Sequence, residues 1–359
     1  MGLKKTLASI VLAGAVALGV GGKVKADWAN PIYTIPNTPN VTAVDFNSNK
    51  VLTGNRIFDI SKNSYTSTLP EGYGWTKISG NFALGTSYSS SGKNVVLYDA
   101  ASNELKSIYT CQNDFVCESI SDGKVYFIDG GREGSSNSFM GPLTVYHINT
   151  SIVNTYPEIV EDNKMGLRDL RSPTSNGNFA YFTEKDQNPP YDITTTLKVF
   201  NVDTRKITNV WQYDANIYDY GGFDILGDNI LISKIDGIEP EGIESGVFLI
   251  NSFGTKRLSS SLYATITNNS LSEDYAVWSA ISSDQTHNEL FYYDLKNNKE
   301  VDTGIFGEFP MVSGDTLLYS DYAGNGIWDL NYTSIPEPTT LSLLALGGLG
   351  VLANKKRKV

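Results

Sequence analysis

Apolar and polar positions along this chain fall into a short phrase that keeps returning. Its clearest copy is Leu290-Phe291-Tyr292-Tyr293-Asp294-Leu295-Lys296-Asn297-Asn298-Lys299-Glu300-Val301. An apolar strand ends in aromatic-Asp, a polar turn follows and a second strand begins, which predicts a β-hairpin. Further copies end at Asp59, Asp99, His147, Asn201, Asn251 and Asp329. The last position is where a strand must hand over to a turn. Asp and Asn suit it because they bond to nearby backbone and tolerate left-handed conformations. A second phrase precedes each hairpin: a turn with Gly, Asn or Asp, then a short apolar strand. Ser121-Asp122-Gly123-Lys124-Val125-Tyr126-Phe127 and Ser313-Gly314-Asp315-Thr316-Leu317-Leu318-Tyr319 are examples.

Each unit therefore reads as strand A, tight turn, strand B, variable loop, strand C, tight turn, strand D. The strand-end residues are spaced by about 40, 48, 54, 50, 43 and 35 positions. A four-stranded repeat of this length predicts an all-β fold, a β-propeller of seven four-stranded blades over residues 27–335. The seventh unit runs short after Asp329, while Trp28 to Ile35 belongs to no unit. The expectation is that this N-terminal segment supplies the outer strand of the last blade, removing an exposed sheet edge. The blades resemble those of TolB-type and quinoprotein-like propellers, in which a Gly-containing turn precedes strand B and aromatic-Asp ends strand C. That resemblance implies the fold and no single function.

The two ends carry an address. Lys4 and Lys5, the apolar stretch Thr6 to Gly21, and Val24-Lys25-Ala26 before Asp27 predict a secretory signal over residues 1–26. At the other end Ile335-Pro336-Glu337-Pro338 precedes an apolar run from Thr339 to Ala353, then Lys355, Lys356, Arg357 and Lys358. An apolar run that stops at cations predicts a short transmembrane helix with a cytoplasmic basic end. At 1.5 Å per residue it covers about 22 Å of a roughly 30 Å hydrocarbon core, so the lysines must snorkel. Residues 336–359 resemble the PEP-CTERM sorting signal, with lysines where that family usually shows arginines. The resemblance implies a Gram-negative bacterium and recognition of Pro336, Glu337 and Pro338 by an exosortase in the inner membrane. It further implies tail removal and release to the cell surface or extracellular matrix. Signal peptidase is the partner expected at the other end.

Composition narrows the partners. Charged residues are 19%, with 33 Gly and 21 Tyr, a balance suited to strands and turns. A net charge of −11 argues against nucleic acid, which needs a basic footprint. Cys111 and Cys117 are the only cysteines, and in an exported protein their proximity predicts a disulfide across a blade junction. His147 stands at a strand end and His287 in a loop. Neither sits beside a nucleophile motif, and Gly-x-Ser-x-Gly is absent. The stretch Asp321 to Asp329 partly resembles the calcium loops of integrin-type propellers through Asp321, Asn325, Gly326 and Asp329. Ala323 stands where that pattern needs an oxygen ligand. Ca2+ is thus the one cofactor the sequence raises, beside the reading of a Gly-rich loop.

Long polar segments between strands B and C predict a binding rim at one channel mouth: 130–141, 184–191, 236–246 and 282–288. Asp236, Glu239, Glu241 and Glu244, with Tyr218 and Asp219, make that rim acidic and aromatic, a surface for cations or sugars. Two functions are in view. One is an exported, non-enzymatic binding or scaffold propeller of the cell surface or exopolysaccharide matrix. The other is a propeller-fold polysaccharide lyase or glycosidase, which needs paired carboxylates or a His-Arg-metal group at the channel mouth.

Overall fold

The structure is a computed structural model. It describes residues 30–36, 45–89, 92–111, 116–129, 131–132, 139–157, 159, 174–175, 177–188, 192–213, 220–234, 246–259, 266–281, 287–324 and 327–336. Seven four-stranded antiparallel sheets form the blades of a propeller. Blade 1 runs from strand A at Asp45–Asn47 through Lys50–Thr53 and Arg56–Asp59 to strand D at Ser64–Thr68. Blades 2 to 6 repeat this order, with strand A at Gly74–Ser79, Val116–Ser121, Thr174–Ser175, Tyr220–Leu226 and Ile266–Leu271. Blade 7 takes strands A to C from Glu308–Ser313, Thr316–Gly324 and Ile327–Ser334, and strand D from Tyr33–Thr34.

The ring is thus closed by the N-terminal segment, as its unassigned position implied. Tyr33 pairs with Tyr332 and Thr34 with Asn331. The Tyr33 and Tyr332 rings stack with centroids 5.3 Å apart, and Ile35 N–H donates to the Leu330 carbonyl at 2.9 Å.

Why the hairpin phrase is apolar at successive positions follows from the packing. Seven apolar clusters among the described residues lie one between each pair of neighbouring blades. Side chains alternate across a strand, and here both faces are covered. In blade 6, Tyr275, Val277, Leu290 and Tyr292 join the cluster shared with blade 7. Their alternates Ala276, Trp278, Phe291 and Tyr293 join the cluster shared with blade 5.

The strand-end residues act as local caps. Asp294 Oδ1 accepts from Asn297 N–H at 2.9 Å, and Asn201 Oδ1 accepts from Thr204 N–H at 2.9 Å. Asp99 Oδ1 accepts from Ala101 N–H at 2.9 Å, and Asn251 Oδ1 from Phe253 N–H at 3.0 Å. Each lets the C–D turn enter a left-handed residue, such as Asn103 at φ 59° or Asn298 at φ 52°. At Asp59, burial opposes ionisation. Hydrogen bonds from Ser61 and the Lys62 N–H, with the Lys62 and Lys50 charges, outweigh it and hold the carboxyl below its ordinary range.

The seventh copy of the phrase is not where the sequence suggested. Strand C of blade 6 ends at Asp294 because that residue pairs with Tyr275, the first of strand B. In blade 7 the first residue of strand B, Thr316, pairs with Ser334. Asp329 therefore lies within strand C, opposite Asp321, and the blade's true strand end is Ser334. The segment 184–191 also differs from a loop. Glu184 to Asn188 continues strand B and pairs with Asp192 to Thr195 of strand C. Within 130–141 a small extra hairpin joins Gly131–Arg132 to Phe139–Met140. Residues 1–26 and the apolar run 339–353 lie outside the described residues. Among the described residues no helix is long and apolar enough to cross a membrane.

Candidate functional site

The seven A strands surround the propeller axis. The inner edge of each strand A has no strand partner, so its outward N–H groups need another acceptor. In blades 2, 6 and 7 the preceding blade supplies one. Asp45 of blade 1 accepts from Ile78 N–H of blade 2 at 2.7 Å. Asp224 of blade 5 accepts from Leu271 N–H of blade 6 at 2.8 Å, and Ser270 of blade 6 accepts from Val312 N–H of blade 7 at 3.2 Å. Ser313 Oγ accepts from Ser48 N–H at 2.9 Å, carrying the stitch across the closure from blade 7 to blade 1. These residues help to line a cavity of about 810 Å³ at the channel end that carries the A–B turns.

Asp45, Lys77 and Asp224 are three of the ionisable residues on this wall, beside Asp122, Glu273 and Asp274. Lys77 Nζ is 3.7 Å from Asp45 Oδ1, and its charge also favours ionised Asp224. Part of Asp224 is accessible from the lumen, yet protein encloses its carboxyl. Burial pushes its pKa up, against the opposing pull of the Leu271 and Ile225 N–H groups, Lys77 and Ser270. A carboxyl whose folded pKa is raised stabilises the fold below its unfolded value of about 3.9 and loses that contribution as pH rises through the folded value. Asp224→Asn keeps an acceptor for Leu271 N–H without the charge. It is expected to melt no lower than wild type at pH 8 and to weaken the decline of stability with rising pH. Asp224→Ala strands buried N–H groups and should cost about 2 kcal/mol. Thermal melts of both variants from pH 4 to pH 8 check this; an Asn variant that melts well below wild type at pH 8 would contradict it.

The sequence-predicted residues distribute as follows. The six rim residues, Tyr218, Asp219, Asp236, Glu239, Glu241 and Glu244, lie outside the described residues, as do Asn325, Glu337, Pro338 and the basic tail Lys355, Lys356, Arg357 and Lys358. Asp321 and Asp329 face each other across the B–C hairpin of blade 7. Among the described residues no three His, Cys, Asp or Glu side chains converge as a metal site. Cys111 is buried at the end of strand D of blade 2, and Cys117 belongs to strand A of blade 3, at an irregularity in its pairing with strand B. His147 closes strand C of blade 3, and its Nε2 is 3.0 Å from Asn154 Nδ2. The channel stitch was not singled out from sequence. Its signal is a polar residue three places before the A–B turn, as in Asp45-Phe46-Asn47, Asp224-Ile225-Leu226 and Ser270-Leu271-Ser272.

The fold and the C-terminal motif together support an exported β-propeller protein. Residues 334–358 match the PEP-CTERM protein-sorting motif, so the ring carries the signal for export and membrane-anchored sorting by an exosortase-type enzyme. No curated protein matches the chain in sequence. Among solved structures, the β-propeller domain of the Trilobed protease from Pyrococcus furiosus is similar at 9% identity and TM-score 0.57, over 85% of this chain and 97% of that one. That domain is described as having an open velcro topology, whereas Tyr33–Thr34 closes the present ring. An oligogalacturonate lyase from Vibrio parahaemolyticus is similar at 11% identity and TM-score 0.52, over 88% of this chain and 96% of that one. The tricorn protease is similar at 9% identity and TM-score 0.54, over 83% of this chain but only 33% of that one. These likenesses show the fold alone.

Proposed function

We propose that this protein is a non-enzymatic binding or scaffold component of the cell surface or exopolysaccharide matrix, delivered there by its signal segment and released from its tail by an exosortase. The observation that carries the reading is the direct run from the last propeller strand into the sorting motif at residues 334–358. A closed, rigid ring is fused to a delivery signal. On this reading residues 1–26 are removed by signal peptidase, 27–335 form the mature ring and 336–359 are the sorting signal. A Cys111–Cys117 disulfide fits the exported setting, and the acidic, tyrosine-bearing rim of B–C loops and D–A connections is the proposed contact for glycan, with or without Ca2+ bridging at Asp321, Asn325 and Asp329.

The alternative, a polysaccharide lyase or glycosidase, needs paired carboxylates free to act or a His-Arg-metal group at the channel mouth. Asp45 and Asp224 are instead engaged with backbone N–H groups of the next blade, which favours a structural role for them. The test is fractionation of expressing cells with intact-mass analysis of the mature chain, followed by a glycan array with and without Ca2+. A chain lacking both ends and recovered outside the inner membrane is expected. A full-length chain held in the inner membrane would rule out the sorting reading, and cleavage of arrayed glycans would replace binding with catalysis.

A further inference from the structure

The first residues of the sorting motif are built into blade 7. Ser334 is paired with Thr316 at the end of strand C. Ile335 N–H donates to the Asp315 carbonyl at 2.6 Å, and its side chain, 2% exposed, packs in the cluster between blades 6 and 7. Pro336, the first proline of the motif, is also buried. The N-terminal segment clamps the same place from the other side. Asn30 Nδ2 donates to the Ser334 carbonyl at 2.7 Å, and Thr333 Oγ1 donates to the Pro31 carbonyl at 3.0 Å.

Only Glu337 and Pro338 separate buried Pro336 from the apolar run that begins at Thr339. Two extended residues span at most about 7 Å. An enzyme that grips the motif as an extended peptide must hold residues on both sides of Glu337, and those on the upstream side are in the blade. Strand ends open locally at a cost set by their buried contacts. Here that cost includes Ile335 leaving its cluster and the Asn30 clamp letting go.

We infer that docking of Ser334–Pro336 in the closed seventh blade restrains cleavage at the sorting motif, so that tail removal proceeds through a local opening of the blade. The inference rests on the proposed processing by an exosortase. Ile335 is a positioning residue for that reaction, acting through the presentation of Pro336. Closure of the ring by the N-terminal strand and release of the tail are then coupled. A fully clamped blade is processed slowly, and a loosened one quickly.

The experiment follows tail removal after a pulse of synthesis in exosortase-bearing cells. It compares wild type, Ile335→Ala and a chain with a six-residue Gly-Ser spacer inserted between Ile335 and Pro336. The spacer frees Pro336 while leaving Ile335 in its cluster, so it tests presentation even where Ile335→Ala folds poorly; thermal melting verifies the fold of each chain. Processing at least roughly fivefold faster for the spacer chain, at unchanged melting temperature, is expected. Equal or slower processing of the spacer chain overturns the inference while leaving the sorting reading intact. Failure to process any of the three chains overturns the sorting reading and the inference with it.

Discussion

A chain that ends at Asp329 is expected not to fold, whereas one that ends at Pro336 should melt like the complete propeller. The seven residues between these endpoints hold the inner half of strand C in blade 7. Leu330 is 1% exposed, Tyr332 6% and Ile335 2%. Burial of each such side chain contributes about 1.5–3 kcal/mol. Their loss also takes the pairing partners of Thr316 to Ser320 and the strand onto which Tyr33 and Thr34 dock. The total approaches the whole stability of an ordinary domain, about 5–15 kcal/mol. Circular dichroism and thermal melting of chains 27–329 and 27–336 decide the matter. A cooperative transition of the shorter chain within a few degrees of the longer one would show that strand C of blade 7 has been misplaced.

Removing residues 27–36 should be the second most damaging change. It deletes strand D of blade 7, unstacks Tyr33 from Tyr332 and withdraws Ile35, 1% exposed, from the cluster between blades 7 and 1. Burial of Ile35 accounts for about 2 kcal/mol, and the lost hydrogen bonds at Asn30, Ile35 and Pro31 for about 1 kcal/mol each. A fall in melting temperature of roughly 10 °C follows. The bared edge of strand C should also promote association between molecules. Differential scanning fluorimetry with light scattering measures both effects. A truncated ring that melts like the intact chain and stays monomeric would refute the closure.

Most of the ring was legible because its determinants are local. The turn chemistry at Asp59, Asp99, Asn201, Asn251 and Asp294 is written within a few residues of each strand end. Trp328-Asp329 misled because it imitates Tyr293-Asp294 without standing in the same register. What fixes a strand end is its pairing with the first residue of strand B. In blade 7, strand B runs nine residues from Thr316 to Gly324, so Asp329 lies far out along the hairpin. Glu184 to Asn188 read as a loop because its residues are polar; its strand pairing with Asp192 to Thr195 is a property of the hairpin, not of the composition. The channel stitch was hidden for a related reason. Asp45 meets its N–H partner 33 positions away, and Asp224 meets Leu271 47 positions away, distances that no local pattern encodes.

The division of the interior into seven separate clusters has a consequence for how such a sequence can change over time. A substitution between blades 5 and 6, at Trp278 for instance, falls in an apolar cluster whose members among the described residues all come from those two blades. Compensation can come from the same pair, and the other interfaces are under no pressure to follow. Each copy of the hairpin is then free to drift under its own neighbours' constraints. Leu290-Phe291-Tyr292-Tyr293 and Arg56-Ile57-Phe58 can thus fill the same place in the ring with little in common beyond the polar residue that ends them.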